Sequence, residues 1–162
     1  MIRIGLVGFG HLGRIHLKVL QDLPAHFSVV GVYDHNKKRH SILHQTDPTI
    51  EHFSSYEALL RAVDAIGIIA STPAHFALAA QAITIGKSVF IEKPICTQLS
   101  DALQLEKLLL LHPVVLQVGH VERFNPVIST LVPRLNAKAV HYFEAWRTAP
   151  FQQRGADVSV VL

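Results

Sequence analysis

The first twenty residues set a pattern that recurs along the chain. A short apolar run, "IRIGLV" at 2–7, leads through three glycines into a segment where Leu12, Ile15, Val19 and Leu20 return at helical spacing. A brief apolar run of this kind is the mark of a strand buried on both faces, so the reading is strand, glycine turn, helix. "FSVVGVYD" at 27–34 is a second β-branched run, closed by an acid, and a polar stretch rich in Lys and His continues as a helix to about Gln45. "DAIGIIA" at 64–70 predicts a third strong strand. The helix after it, "AHFALAAQAITIG", carries Phe76, Ala79, Ala80 and Ile83 on one face and stops at Gly86. "SVFIE" at 88–92, "LSDALQLEKLLLLH" and "VVLQVG" at 114–119 continue the series as strand, helix and strand. Between 47 and 63 the pattern is weaker: "TIEHF" reads as a short strand and "SYEALLRA" as a helix opened by a capping serine.

Strands alternating with single helices build a parallel sheet covered on both faces, joined by right-handed crossovers. The expected fold class is therefore α/β, a doubly wound parallel sheet. The pattern changes after Gly119, where "VERFNPVISTLVPRL" predicts a helix entered through Asn125-Pro126 and "KAVHYFEAWR" at 138–147 a long, half-exposed strand. A domain boundary is expected near 120, with 1–120 as the first domain and 121–162 as the start of a second. "GADVSVVL" then ends the sequence on an apolar run that has hardly begun, as a truncated second domain would.

Composition narrows the classes. The 162 residues are 49% hydrophobic, ample for a core, and 15 Lys and Arg against 12 Asp and Glu leave a formal charge of only +3. No block of like charge reads as a nucleic-acid arm. Cys96 is the only cysteine, which excludes an intramolecular disulfide and a thiolate metal cluster and suits a reducing cytoplasm. The eleven histidines are scattered along the chain, and no metal is expected. The apolar start is too short for a signal peptide, and "LLLLHPVVLQV" is broken by His112 and Pro113 before it reaches a membrane span.

Chemistry concentrates where strands end. Gly8-Phe9-Gly10-His11-Leu12-Gly13 follows a strand, opens a helix, and is followed about 20 residues on by Asp34 at the end of the second strand, the dinucleotide-binding arrangement. Gly8 would make the turn, Gly10 would admit a pyrophosphate, and Gly13 would let helix and sheet approach. The helix N-terminus would offer N–H donors and positive potential to the phosphates. Asp34 would accept the adenosine ribose hydroxyls and repel a 2'-phosphate, favouring NAD, while Lys37, Lys38 and Arg39 close behind it leave NADP open. A tight turn without a ligand, and a loop-capping Asp34, are the plainer alternatives. His16 falls on the predicted apolar stripe and reads as a packed core histidine; His75 reads equally as a helix N-terminal residue or a cofactor contact. Cys96 reads as a small buried side chain.

The glycine turn continuing to His16, "STPAH" at 71–75 and "GKSVFIEKPIC" at 86–96 together resemble the Gfo/Idh/MocA oxidoreductases, the glucose-fructose oxidoreductase and inositol dehydrogenase family. Glu92-Lys93-Pro94 after an apolar strand is the most specific element. The resemblance implies a Rossmann dinucleotide-binding domain followed by an α+β C-terminal domain with an open sheet, present here only at its start. It implies NAD(P)-dependent hydride transfer at a sugar carbon. Ser71, Thr72, Pro73, His75, Glu92 and Lys93 would lie at the nicotinamide, with Lys93 as acid or base. "GHVERFNP" at 119–126 resembles the nucleotide-sugar 3-dehydrogenase branch, which oxidises the 3-hydroxyl of a UDP-linked N-acetylamino sugar or its uronic acid; Arg123 and Asn125 would face substrate or cofactor. Family members continue into a helix whose Asp and His complete the catalytic group, and their second domain supplies the subunit interface. The expectation is a cofactor-binding part without efficient turnover, from a homo-oligomeric enzyme. A non-catalytic dinucleotide sensor, or an assembly protein that has kept only the fold, is the rival reading.

Overall fold

Short apolar runs form the centre of the protein because a strand flanked by two others and covered by helices has no polar face to offer. The computed structural model describes residues 1–135, 140–142, 144, 146 and 148. Its contacts divide the chain into two units, Met1–Gly119 and His120–Leu162. In the first, six strands run β1 Ile2–Val7, β2 Phe27–Tyr33, β3 Glu51–His52, β4 Ala65–Ile68, β5 Ser88–Ile91 and β6 Leu116–Val118. They pair in parallel in the order β3-β2-β1-β4-β5-β6. This is the doubly wound order in which the chain starts at the centre, builds outward, then returns and builds the other way.

Successive side chains of β1 divide between the two faces. Leu6 joins Phe9, Leu17, Val32, Leu43 and Ile69 under helices α1 (His11–Gln21) and α2 (Lys38–Thr46). Val7 joins Ile66, Ile68, Val89 and Ile91 under α3 (Tyr56–Ala62), α4 (Thr72–Thr84) and α5 (Leu99–Leu111). The weak interval holds both expected elements: "TIEHF" contributes only the two residues of β3, and Ser55 caps α3 by accepting from the Ala58 N–H at 3.1 Å. Inside the second core Tyr56 donates its hydroxyl to the Leu78 carbonyl at 2.8 Å, and burial pushes that hydroxyl well above the usual phenol range.

One expectation is overturned. Leu12, Ile15 and Val19 are 42%, 46% and 51% exposed and only Leu20 of the stripe packs, half-buried, against the core, whereas Gly13 and Leu17 are the buried positions of α1. The rotation of α1 follows from the glycine turn, because Gly13 must face the Gly8 carbonyl so closely that a Cβ would fall on its oxygen. With Gly13 held inward, residues one turn further along the same face go in with it. Burying Leu17 there contributes about 1.5–3 kcal/mol, and the Leu12–Ile15–Val19 stripe is left outside.

The second unit begins with a 3-10 turn at Val121–Phe124, followed by α6 (Pro126–Leu131) and a 3-10 turn at Val132–Arg134. Asn125 caps α6, its Oδ1 accepting from the Val127 N–H at 3.0 Å. The expected strand at 138–147 and the run at 155–162 lie largely or wholly outside the described residues.

Candidate functional site

The carboxyl ends of the central strands are tied side to side. The Gly8 N–H donates to Tyr33 O at 2.9 Å, Ile69 N–H to Val7 O at 2.7 Å, Glu92 N–H to Ile68 O at 3.0 Å and Gly119 N–H to Ile91 O at 2.8 Å. The rim of loops at this end is therefore one connected surface, and nearly every residue expected at a site in the first unit stands on it.

Each glycine of the first turn has its own reason. Gly8 lies at φ +93, and a Cβ there would stand 2.5 Å from Ile69 O, so turn and close approach both require glycine. Gly13 is required by the Gly8 carbonyl. Gly10 differs: it lies at φ −73, ψ −162, open to any residue, and a Cβ would meet no atom within 4 Å. Among the described residues nothing accounts for a missing side chain at Gly10, and the bare backbone faces outward at the start of α1. No side chain caps that helix and its first turn holds no acid, leaving its N–H groups and positive end open to an anion. His11 and Leu12 stand exposed there, while the Phe9 ring points inward as a plug in the core.

Asp34 is the first residue beyond β2 and is only 8% exposed. Its Oδ2 accepts the Phe9 N–H at 2.7 Å and its Oδ1 the Asn36 N–H at 2.8 Å. The carboxylate thus locks the glycine turn to the end of β2, and each oxygen keeps a second lone pair for a further donor. Behind it stand two histidines that local sequence did not connect. His40 donates from Nε2 to the Asp34 carbonyl at 3.3 Å, and its ring centroid lies 3.3 Å from that of His52. Burial and neighbouring His40 lower the basicity of His52, with Asp34 opposing. Lys37 and Lys38 are exposed alongside.

At the other end of the rim, Ser71 caps α4 in extended conformation without a side-chain capping bond, Thr72 is buried, and Pro73 is exposed at the first turn. His75 lies beneath them, 1% exposed, with Nδ1 2.9 Å from Pro94 O and Nε2 3.0 Å from Ala70 O. Both ring nitrogens face main-chain carbonyls, which makes His75 a clamp between the loops after β4 and β5. The second loop carries Glu92, buried, then Lys93, exposed, and a cis peptide to Pro94. Glu92 Oε1 accepts from His16 Nε2 at 2.9 Å and Oε2 from the Lys93 N–H at 3.2 Å. His16 is accordingly no core histidine of an apolar stripe; rotation of α1 turns it toward β5, where it meets a carboxylate. Cys96 is half-buried, and burial with Asp101 nearby pushes its thiol up, away from reactivity.

In the second unit, Asn125 is committed to its cap and also donates from Nδ2 to Glu122 Oε2 at 3.0 Å. Arg123 is exposed on the 3-10 turn before it. Among the described residues no group of three or more His, Cys, Asp or Glu could hold a metal ion, and no helix is long and apolar enough to cross a membrane.

A family model described as an oxidoreductase family with an NAD-binding Rossmann fold matches residues 2–120. The chain belongs to the Gfo/Idh/MocA oxidoreductase family. Members similar to it include the UDP-N-acetylglucosamine 3-dehydrogenase of Acidithiobacillus ferrooxidans, 35% identical over 99% of this chain and 50% of that protein. The galactose 1-dehydrogenase of Pseudomonas fluorescens is 36% identical over 62% of this chain and 32% of its own length. A solved structure of the Acidithiobacillus enzyme superposes with a TM-score of 0.72 at 34% identity, covering 82% of this chain and 43% of that one. The chain spans half or less of the length of these Gfo/Idh/MocA relatives. NAD binding through the Rossmann unit is the property of the family, and the open backbone at Gly10 fits it.

Proposed function

We propose that this chain is the cofactor-holding part of an NAD-dependent dehydrogenase acting on a nucleotide sugar of the UDP-N-acetylamino type. The observation that carries the cofactor reading is Gly10, a glycine with no need of its own that stands over the unpaired N-terminus of α1. The glycine turn would hold the pyrophosphate and Asp34 the adenosine ribose, with NAD preferred because a buried carboxylate disfavours a 2'-phosphate. Ser71, Thr72, Pro73 and Glu92 would border the nicotinamide. Support for the substrate class comes from the 35% identity to the UDP-N-acetylglucosamine 3-dehydrogenase over 99% of the chain.

NAD, when bound, supplies the hydride acceptor. Lys93 takes the proton of the sugar hydroxyl at Nζ as the carbon–hydrogen bond breaks, and returns it in the reverse direction. Its main-chain N–H is fixed by Glu92 while its side chain remains exposed, so the amine is free to reach a substrate. Arg123 would bind the diphosphate or a carboxylate of the substrate as a planar donor, with Asn125 shaping its turn. The second unit would belong to the substrate and subunit-contact domain of a homo-oligomer.

Fluorescence titration of the chain with NADH and NADPH tests the cofactor reading. Saturable binding with NADH preferred is expected; an unchanged melting temperature in millimolar NAD, NADH and NADP would support the fold-only rival instead. In a form with a complete second domain, Lys93→Met should lower turnover of UDP-N-acetylglucosamine by about 10²–10⁴-fold with NADH affinity kept. Retained turnover would remove Lys93 from the chemistry, and NADH binding without any turnover in the unaltered form would favour a sensor.

A further inference from the structure

His16 and Glu92 come from the first helix and the fifth strand, yet they meet at 2.9 Å with side chains only 21% and 11% exposed. A carboxylate oxygen can only accept, so the imidazole carries its proton on Nε2 and donates it to Oε1. The other oxygen, Oε2, accepts the Lys93 N–H at 3.2 Å. One carboxylate therefore connects the helix that follows the glycine turn to the main chain of the loop bearing Lys93. The surroundings are fitted to it: the Phe90 ring lies 5.3 Å from the His16 ring, and a Cβ on Gly119 would come within 3.2 Å of Glu92 Cδ and Oε1. Gly119 leaves the space in which that carboxylate sits.

We infer that His16 is a positioning residue for the nicotinamide end of the cofactor site, acting through Glu92. It touches neither pyrophosphate nor ribose in this reading, which rests on the cofactor assignment above. A buried carboxylate with one partner removed turns toward solvent or toward a new donor. Without His16, Glu92 would release the Lys93 N–H, and the loop from Glu92 to Pro94 would lose the register in which it borders the nicotinamide. The pyrophosphate turn, one helical turn earlier and anchored by Gly13 and Asp34, would stay in place.

Comparing NADH with ADP-ribose, which shares everything but the nicotinamide, separates this role from simple support of the fold. The chain and its His16→Leu and His16→Gln variants are titrated calorimetrically with both ligands. His16→Leu should weaken NADH by about tenfold, the scale of a lost charge-assisted hydrogen bond, and leave ADP-ribose within about twofold. His16→Gln, whose amide nitrogen reaches the same oxygen, should restore most of the NADH affinity. In His16→Leu the Lys93 amide should also exchange with solvent faster. Equal losses for both ligands, or none, would overturn the inference while leaving the cofactor reading intact. Failure of the unaltered chain to bind either ligand would overturn both. Should His16→Leu not fold, His16→Asn, whose amide is too short to reach Oε1, takes its place and must show the same selective loss of NADH, or the inference falls.

Discussion

Replacing Gly10 by alanine separates the cofactor from the fold, because the glycine turn makes different demands at neighbouring positions. At Gly10 the backbone already suits alanine, and the added methyl meets no atom of the described residues within 4 Å. Alanine is a poorer helix cap than glycine by several tenths of a kcal/mol or more. Removing glycine's freedom from the unfolded chain returns about 0.4–1 kcal/mol, so the two nearly cancel. With about 2–4 °C of melting temperature per kcal/mol at this chain length, Gly10→Ala alone should shift the midpoint by no more than a few degrees. Binding should not cancel. A ligand at 100 times its Kd stabilises by about 2.7 kcal/mol, or roughly 5–11 °C. A methyl in the pyrophosphate's approach costs about 1–3 kcal/mol of overpacking, which raises Kd about 5- to 150-fold and removes about a third to nine-tenths of that shift. The assay is thermal unfolding with and without NADH. Gly8→Ala is the control: at φ +93, with Ile69 O at 2.5 Å, it should lose about 2–5 kcal/mol before any ligand is added. A full NADH shift retained by Gly10→Ala would mean that no pyrophosphate approaches that backbone.

Other consequences follow from the same geometry. Asp34→Ala leaves the Phe9 and Asn36 N–H groups without their acceptor, so it should cost about 1–3 kcal/mol in thermal unfolding. It should also weaken NADH more than NADPH; equal losses would take Asp34 out of ribose recognition. Ile15→Lys, on the exposed side of α1, should change stability by under about 0.5 kcal/mol, whereas Leu17→Ala should cost about 2–5 kcal/mol. The opposite ranking would return the apolar stripe to the core. Asp64 receives the Arg3 N–H and guanidinium, which holds its carboxyl down at about 2 from an ordinary 3.8. A depressed acid stabilises above its unfolded value and loses that contribution as pH falls through the folded one. Melting temperature should therefore fall between about pH 4 and pH 2, and Asp64→Asn should flatten that decline.

Much of the site was legible because its signals are local. A strand, a turn needing positive φ at Gly8 and a helix opened without a cap lie within one short stretch, and Asp34 and Lys93 follow strands that announce themselves by β-branched runs. The capping roles of Ser55 and Asn125 were legible for the same reason, since a cap and the N–H it serves are two or three residues apart. The rotation of α1 was not. Periodicity recognises an apolar stripe on a helix but cannot say which way the helix faces, and here a glycine's contact with a carbonyl outweighed three aliphatic side chains.

The alternation of strand and helix, the glycine turn and the acid after the second strand are written in the chain, each governed by its neighbours. It took the folded arrangement to bring Asp34 to the Phe9 N–H, 25 residues away, His75 to Pro94 across 19, and His16 to Glu92 across 76. Those contacts depend on strand order and helix rotation, which are settled by the packing of the whole sheet. A single polar residue carries no mark of the partner that packing will bring to it.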